Sequence, residues 1–158
     1  AATSRLLFGL RIFLTTMCGS MPSTEPKPDL VHVAVGVILD ERNHILIARR
    51  AADAHQGDLW EFPGGKVELQ ETTFDALRRE LREELDLVVE SSAPLLVIEH
   101  DYADKAVRLD VNVVTEFKNT AQGMEGQPLR WVAPHDLAGY DFPAANAPII
   151  DAVLEYLQ

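Results

Sequence analysis

The spacing of hydrophobic residues along this chain changes several times, and each change marks an element. Residues 31–39, Val31-His32-Val33-Ala34-Val35-Gly36-Val37-Ile38-Leu39, and residues 45–48, Ile45-Leu46-Ile47-Ala48, are rich in β-branched side chains and separated by the polar run Asp40-Glu41-Arg42-Asn43. β-branched side chains crowd a helix and fit a pleated surface, so this pattern predicts two strands of a hairpin. A short strand over 60–62 leads into Pro63-Gly64-Gly65, a predicted turn whose glycines let a ligand approach the backbone. From Phe74 the spacing becomes helical, with Phe74, Leu77, Leu81 and Leu85 on one apolar stripe. Thr72 is the expected N-cap of a helix over 73–85, Asp75 takes the capping-box position, and the helix is expected to end near Asp86. Alternation returns over 95–99 and 107–117, joined by a polar connection at 101–105, and 129–132 adds a short strand. Ile149, Ile150, Val153, Leu154 and Leu157 define a closing helix over 147–157 with Pro148 in its opening turn. Strands on both sides of a central helix, with a last helix packed on the sheet, make an α/β (α+β type) domain.

The polar side of the central helix carries the candidate chemistry. At about 100° per residue, Glu80, Glu83 and Glu84 fall within an arc of about 100° beside the apolar stripe. Like charges three and four residues apart oppose the helix by a few tenths of a kcal/mol each. Either Arg78, Arg79 and Arg82 partner a solvated acidic face, or the carboxylates hold a hard cation such as Mg²⁺ or Mn²⁺, which prefers oxygen ligands. The glycine turn just upstream, joined to the helix through Lys66 and Glu71, favours a metal site for handling phosphates.

Taken together, Gly65-x5-Glu71-x7-Arg79-Glu80-Leu81-x-Glu83-Glu84-Leu85-x-Leu87 resembles the Nudix box, G-x5-E-x7-R-E-U-x-E-E-x-G-U with U aliphatic. Asp86 stands where the box has its last glycine, and Gln70 replaces a glycine common in the loop. Asp tolerates the left-handed conformation at modest cost, so Asp86 bears on the local turn more than on the chemistry. Outside the box, Ala48-Arg49-Arg50-Ala51-Ala52-Asp53-Ala54-His55, Trp60-Glu61-Phe62-Pro63, Gly123-Met124-Glu125-Gly126-Gln127-Pro128 with Trp131, and Asp141-Phe142-Pro143-Ala144-Ala145-Asn146 look like the bacterial MutT-type branch of that family, the 8-oxo-dGTP diphosphatases. The likeness covers nearly everything from residue 31 to 157.

This resemblance implies a mixed β-sheet sandwiched between helices and a Mg²⁺-dependent pyrophosphohydrolase that releases 8-oxo-dGMP and pyrophosphate from 8-oxo-dGTP. It implies Glu80, Glu83 and Glu84 as metal ligands, joined by the Gly64 carbonyl and, from a separate loop, by Glu125. Arg79 would orient Glu80, Glu71 and Gly65 would support the site, and either Glu80 or Glu125 would act as general base. Arg50 and Lys66 are candidate phosphate contacts, with plain solvation as the alternative for each. Phe62 stands near the base or fills core. Asn146 either caps the last helix or reads the base, because 8-oxoguanine carries a hydrogen on N7 where guanine has an acceptor, and a carboxamide can accept from N7–H while donating to O6.

Composition narrows the partners. With 158 residues, 47% of them hydrophobic, the chain can bury one substantial core. A formal charge of −11 with no basic stripe argues against stable nucleic-acid binding, so a nucleoside triphosphate would arrive with its metal. Cys18 is the sole cysteine, which excludes an internal disulfide and fits a reducing, cytoplasmic setting. No stretch approaches the ~20 apolar residues of a membrane span. Residues 1–29 read as a flexible or non-native leader, with a start at Met21 the simplest account, and 30–158 as one domain acting as a monomer. Two other functions compete with the leading one: hydrolysis of another diphosphate such as ADP-ribose, and non-catalytic recognition of 8-oxoguanine. The complete acidic set opposes the second of these.

Overall fold

The computed structural model describes residues 30–101 and 105–158. The expected leader, with Cys18 and Met21, and the middle of the 101–105 connection lie outside the described residues. The elements in order are β1 (Leu30–Ile38), β2 (Ile45–Arg49), β3 (Trp60–Glu61), β4 (Gly64–Lys66), α1 (Thr73–Leu85), β5 (Val88–Asp101), β6 (Ala106–Lys118), β7 (Leu129–Val132) and α2 (Ala147–Tyr156), with 3₁₀ turns at Pro134–Gly139 and Ala144–Asn146.

The strands divide between two sheets, ordered β4-β1-β6-β5 and β3-β2-β7. In the first, β1 runs parallel to β6 and antiparallel to β4, so this sheet is mixed as expected. The hairpin expected between β1 and β2 is not a ladder. Asp40 Oδ1 accepts from the backbone N–H groups of Arg42 and His44 at 2.8 Å each, which makes the turn, but the strands meet only at a Leu39–Ile45 bridge. Both edges of β1 are taken by β4 and β6, leaving β2 to build its own sheet with β3 and β7.

The predicted glycine turn is in fact strand β4, paired through Val35 with Gly64 and through Ala34 with Gly65. Glycine is required for this pairing: a Cβ on Gly64 would overlap the Ala34 carbonyl oxygen and lie 2.9 Å from the Val35 Cα. The strand expected over 95–99 is part of a 14-residue strand that begins at Val88, just past the Asp86-Leu87 turn that closes α1. Register shifts at Val89/Ser91, Ser91/Ala93 and Pro94/Leu96 break the period-two pattern there, which hid its first half from the sequence.

The sheet around β1 separates two buried clusters. Val35, Val37 and Leu39 pack with Ile45, Ile47, Phe62, Val111, Val113 and, from α2, Ile149 and Val153. On the other face Ala34 and Ile38 pack with Leu46, Val114 and the α1 residues Leu77, Leu81 and Leu85. Each of those three leucines is fully buried, worth about 1.5–3 kcal/mol apiece, so α1 is fixed in rotation and its acidic side must face outward beside β4.

Both ends of α1 match the sequence reading. Thr72 Oγ1 accepts from the Asp75 N–H at 3.1 Å and donates to the Asp75 carboxylate at 2.7 Å. At the other end Asp86 is left-handed, φ 57°, with its N–H on the Arg82 carbonyl and the Leu87 N–H on the Leu81 carbonyl, both at 3.1 Å, an αL closure. Glycine removes the Cβ conflict that any L side chain meets there. Asp86→Ala is therefore expected to be about 1 kcal/mol less stable than Asp86→Gly, read from urea midpoints; equal midpoints would mean the turn relaxes when substituted.

Candidate active site

Arg79 stands at the centre of the acidic side of α1. Its Nε and Nη2 donate to the two Glu71 carboxylate oxygens at 2.7 and 2.9 Å, a bidentate pair, and Nη2 also reaches the Lys66 carbonyl at 2.9 Å. Its Nη1 donates to Glu80 Oε1 at 2.7 Å and lies 3.7 Å from Glu83. One guanidinium thus binds the end of β4, the segment leading into α1, and the first acidic residue of the helix face. Hydrogen bonds from Arg79, with another from the Glu68 N–H, hold the Glu71 carboxyl down at about 2. The Arg79 guanidinium is raised in turn by Glu71 and Glu80. Glu80, 15% exposed, has its carboxylate directly against Gly65, where any Cβ would overlap it.

Glu84 is in a different position. Burial is the main cause that pushes its carboxyl up to about 8, followed by the charges of Glu80, Glu125, Glu61 and Glu83. Its backbone carbonyl accepts from the Met124 N–H and from Gln127 Nε2, both at 3.0 Å, and Gln127 Oε1 accepts from the Glu125 N–H at 2.9 Å. The 123–127 loop is therefore fastened to the last turn of α1, and Gly126 at φ 77° lets it fold back. This contact brings Glu125 to the helix from about forty residues away in sequence. Glu83 is 63% exposed at the open side. Among the described residues no three of these carboxylates converge tightly enough to cage an ion as they stand. The arrangement nonetheless fits a divalent cation: the donors are all hard oxygens, and Glu84 sits half-buried among four acidic neighbours, with no basic side chain paired to it among the described residues.

The remaining predicted residues lie outside this cluster. Arg50 donates from Nη1 to Glu61 at 2.7 Å. Lys66 is exposed at the end of β4. Phe62 is only 5% exposed and stacks on Phe142, centroids 5.2 Å apart, so its ring fills core and fixes the 141–146 segment beside β3. The Trp60 N–H on the Asp141 carbonyl at 2.8 Å and the edge-on Trp60–Tyr140 pair at 5.3 Å do the same. Asn146 is half-buried at the start of α2, where its side chain makes no capping hydrogen bond. The capping alternative therefore has no geometric support. Glu61 was not singled out from the sequence as a site residue. The available signal was a lone acid between Trp60 and Phe62, both of which turn inward.

A family model described as the NUDIX domain matches residues 34–152. The chain belongs to the Nudix family. Over 120 residues it is 40% identical to an 8-oxo-dGTP diphosphatase of Escherichia coli, covering 76% of this chain and 93% of that one. It is 34% identical over 120 residues to a CTP pyrophosphohydrolase of the same organism, covering 76% and 89%. Among solved structures, MutT studied from Aliivibrio salmonicida and Vibrio cholerae superposes with a TM-score of 0.72 at 35% identity, covering 81% of this chain and 99% of that one. This is a MutT-type Nudix hydrolase, an enzyme of phosphoanhydride bonds, in a family that generally needs a divalent metal.

Two outcomes follow from this Nudix geometry. Gly65→Ala should leave the fold intact, because the obstructing atoms are the end of a side chain, yet displace Glu80 and lower kcat by about 10²-fold. Gly64→Ala meets backbone instead and should lose stability first; circular dichroism melts beside kcat separate the two, and similar melts for both would refute the distinction. Glu84 has a folded value near 8 against an ordinary 4.5, so the folded protein holds a proton there that the unfolded chain releases. Its contribution to stability is full below about 4.5 and is lost as pH rises toward 8. In EDTA the wild type should therefore lose melting temperature across that window more steeply than Glu84→Gln; parallel profiles would show that Glu84 titrates like an exposed carboxylate.

Proposed function

We propose that this enzyme is an 8-oxo-dGTP diphosphatase that hydrolyses 8-oxo-dGTP to 8-oxo-dGMP and pyrophosphate and so removes an oxidised precursor from the nucleotide pool. Glu80, Glu83, Glu84, the Gly64 carbonyl and Glu125 would hold Mg²⁺, with Mn²⁺ able to substitute. Bound there, the cation would neutralise phosphate charge that an acidic protein otherwise repels. Arg79 aims Glu80 through its Nη1 bond. Glu80 or Glu125 takes the proton of the water attacking the β-phosphorus. Glu71 keeps Arg79 in place by the bidentate pair, and Arg50 and Lys66 receive the phosphates. A cation must displace the Glu84 proton, so its affinity should rise with pH toward 8.

The observation that carries the choice of substrate is Asn146, whose carboxamide is not committed to α2 and which ends the 141–146 segment that Phe62 and Trp60 anchor beside β3. Presented to a purine edge, it accepts from the N7–H of 8-oxoguanine and donates to O6, whereas guanine meets acceptor with acceptor. Phe62 steadies the segment that ends at Asn146 through its stack on Phe142. The likeness to the E. coli 8-oxo-dGTP diphosphatase over nearly its whole length supports the same reading. We further infer that the enzyme acts as a monomer in the cytoplasm from a single domain over residues 30–158. No helix among the described residues is long and apolar enough to cross a membrane.

The test is a panel of 8-oxo-dGTP, dGTP, CTP and ADP-ribose with Mg²⁺, run on wild type and Asn146→Asp. Wild type should prefer 8-oxo-dGTP. Asp keeps the acceptor toward N7–H and replaces the donor facing O6, so the kcat/KM ratio of 8-oxo-dGTP over dGTP should fall by about tenfold or more with melting temperature unchanged. A preference for CTP or ADP-ribose in the wild type, or an unchanged ratio in the variant, would overturn this reading.

A further inference from the structure

Glu61 is paired with the cation proposed to receive phosphate, and its charge is felt by Glu84 of α1. It occupies β3 opposite Ala48, one residue before Arg49 and two before Arg50. The Arg50 backbone is fixed on both sides, its N–H on the Leu59 carbonyl at 2.9 Å and its carbonyl accepting from the Asp58 N–H at 3.2 Å. Among the described residues its side chain has one partner at its far end, Glu61 at 2.7 Å, with both side chains about one-third exposed, 31% and 34%. The Arg50 Nε is buried and has no hydrogen-bond partner among the described residues. Glu61 is also one of the charges felt by Glu84, so it faces the acidic cluster as well as the guanidinium.

An arginine has five donor N–H groups in a rigid fork, and a carboxylate that holds one nitrogen orients the rest. An unpartnered buried N–H is unfavourable unless an acceptor reaches it. A long cationic side chain left free would lose much of its rotamer freedom on binding, and one already held in place would not. We propose that Glu61 is a positioning residue for phosphate recognition: by holding Arg50 through Nη1 it presents the remaining guanidinium N–H groups to the triphosphate of the substrate. This rests on the reading of Arg50 as a phosphate contact. Glu61 itself, being an anion, does not touch the phosphates.

The experiment compares wild type, Glu61→Gln, Glu61→Asp, Arg50→Gln and the Glu61→Gln/Arg50→Gln double variant. The readouts are kcat and KM for 8-oxo-dGTP at saturating Mg²⁺, the Mg²⁺ concentration dependence, the Kd of a non-hydrolysable α,β-methylene dGTP analogue by calorimetry, and the melting temperature. Arg50→Gln and Glu61→Gln should each raise KM and Kd by about tenfold, with a much smaller change in kcat, and the double variant should be no worse than Arg50→Gln alone. Glu61→Asp keeps the charge but is one methylene short, and should behave like Glu61→Gln because position is what matters. Additive losses in the double variant would overturn the proposal. So would a shifted Mg²⁺ dependence with KM unchanged at saturating metal, which would make Glu61 part of the cation site. Unchanged KM and Kd in Glu61→Gln beside a defective Arg50→Gln would refute the positioning role and leave Arg50 as a phosphate contact; unchanged values in Arg50→Gln would refute both.

Discussion

The guanidinium of Arg79 is the point through which the site is assembled. Three parts of the chain that differ in kind meet there: the carbonyl at the end of a strand, a carboxylate in the segment before the helix, and the first acid of the helix face. Because the pair with Glu71 is bidentate, the planar group cannot rotate, and Glu80 receives a fixed direction from it. The close contact of Glu80 with Gly65 completes the arrangement, since it leaves the carboxylate no space toward β4. A lysine at position 79 would supply charge without this geometry.

Against this compensated half stands an uncompensated one. Glu84 is half-buried, shares its surroundings with Glu80, Glu83, Glu61 and Glu125, and holds a proton to a far higher pH than an ordinary carboxyl. Packing on the inner face keeps the helix from turning away, because Leu77, Leu81 and Leu85 are locked against β1 and its neighbours. The favourable burial of those leucines thus holds the acids where their mutual repulsion is unfavourable. The concentration of negative charge is thus carried by the packing of the fold.

What was legible in the sequence was what is local. The α1 helix, its Thr72 cap and its left-handed end at Asp86 depend on residues within a few positions, and all appeared as read. The partition of strands into two sheets was not legible, because it depends on β4 and β6 occupying both edges of β1, a pairing between distant segments. Nor was the full length of β5, whose bulges scramble the alternation that signals a strand. The acids of α1 were found by helical spacing, whereas Glu125 came only from the family resemblance, since its approach depends on hydrogen bonds to the Glu84 carbonyl. Glu61 was missed because one charged residue in a two-residue strand carries no periodicity.

The β1 sheet also divides the labour of the molecule. On one side lie α1 and the leucines that hold the acidic face; on the other lie Phe62, Phe142 and α2, with Asn146 at its start. Side chains on the second side can change size and hydrogen-bonding character while the strand between them shields the first from the change. If the base is read on the second side, as proposed, such a layout would let a lineage drift from one nucleobase to another without rebuilding the acidic face, and chains alike over most of their length could then carry names as different as 8-oxo-dGTP diphosphatase and CTP pyrophosphohydrolase.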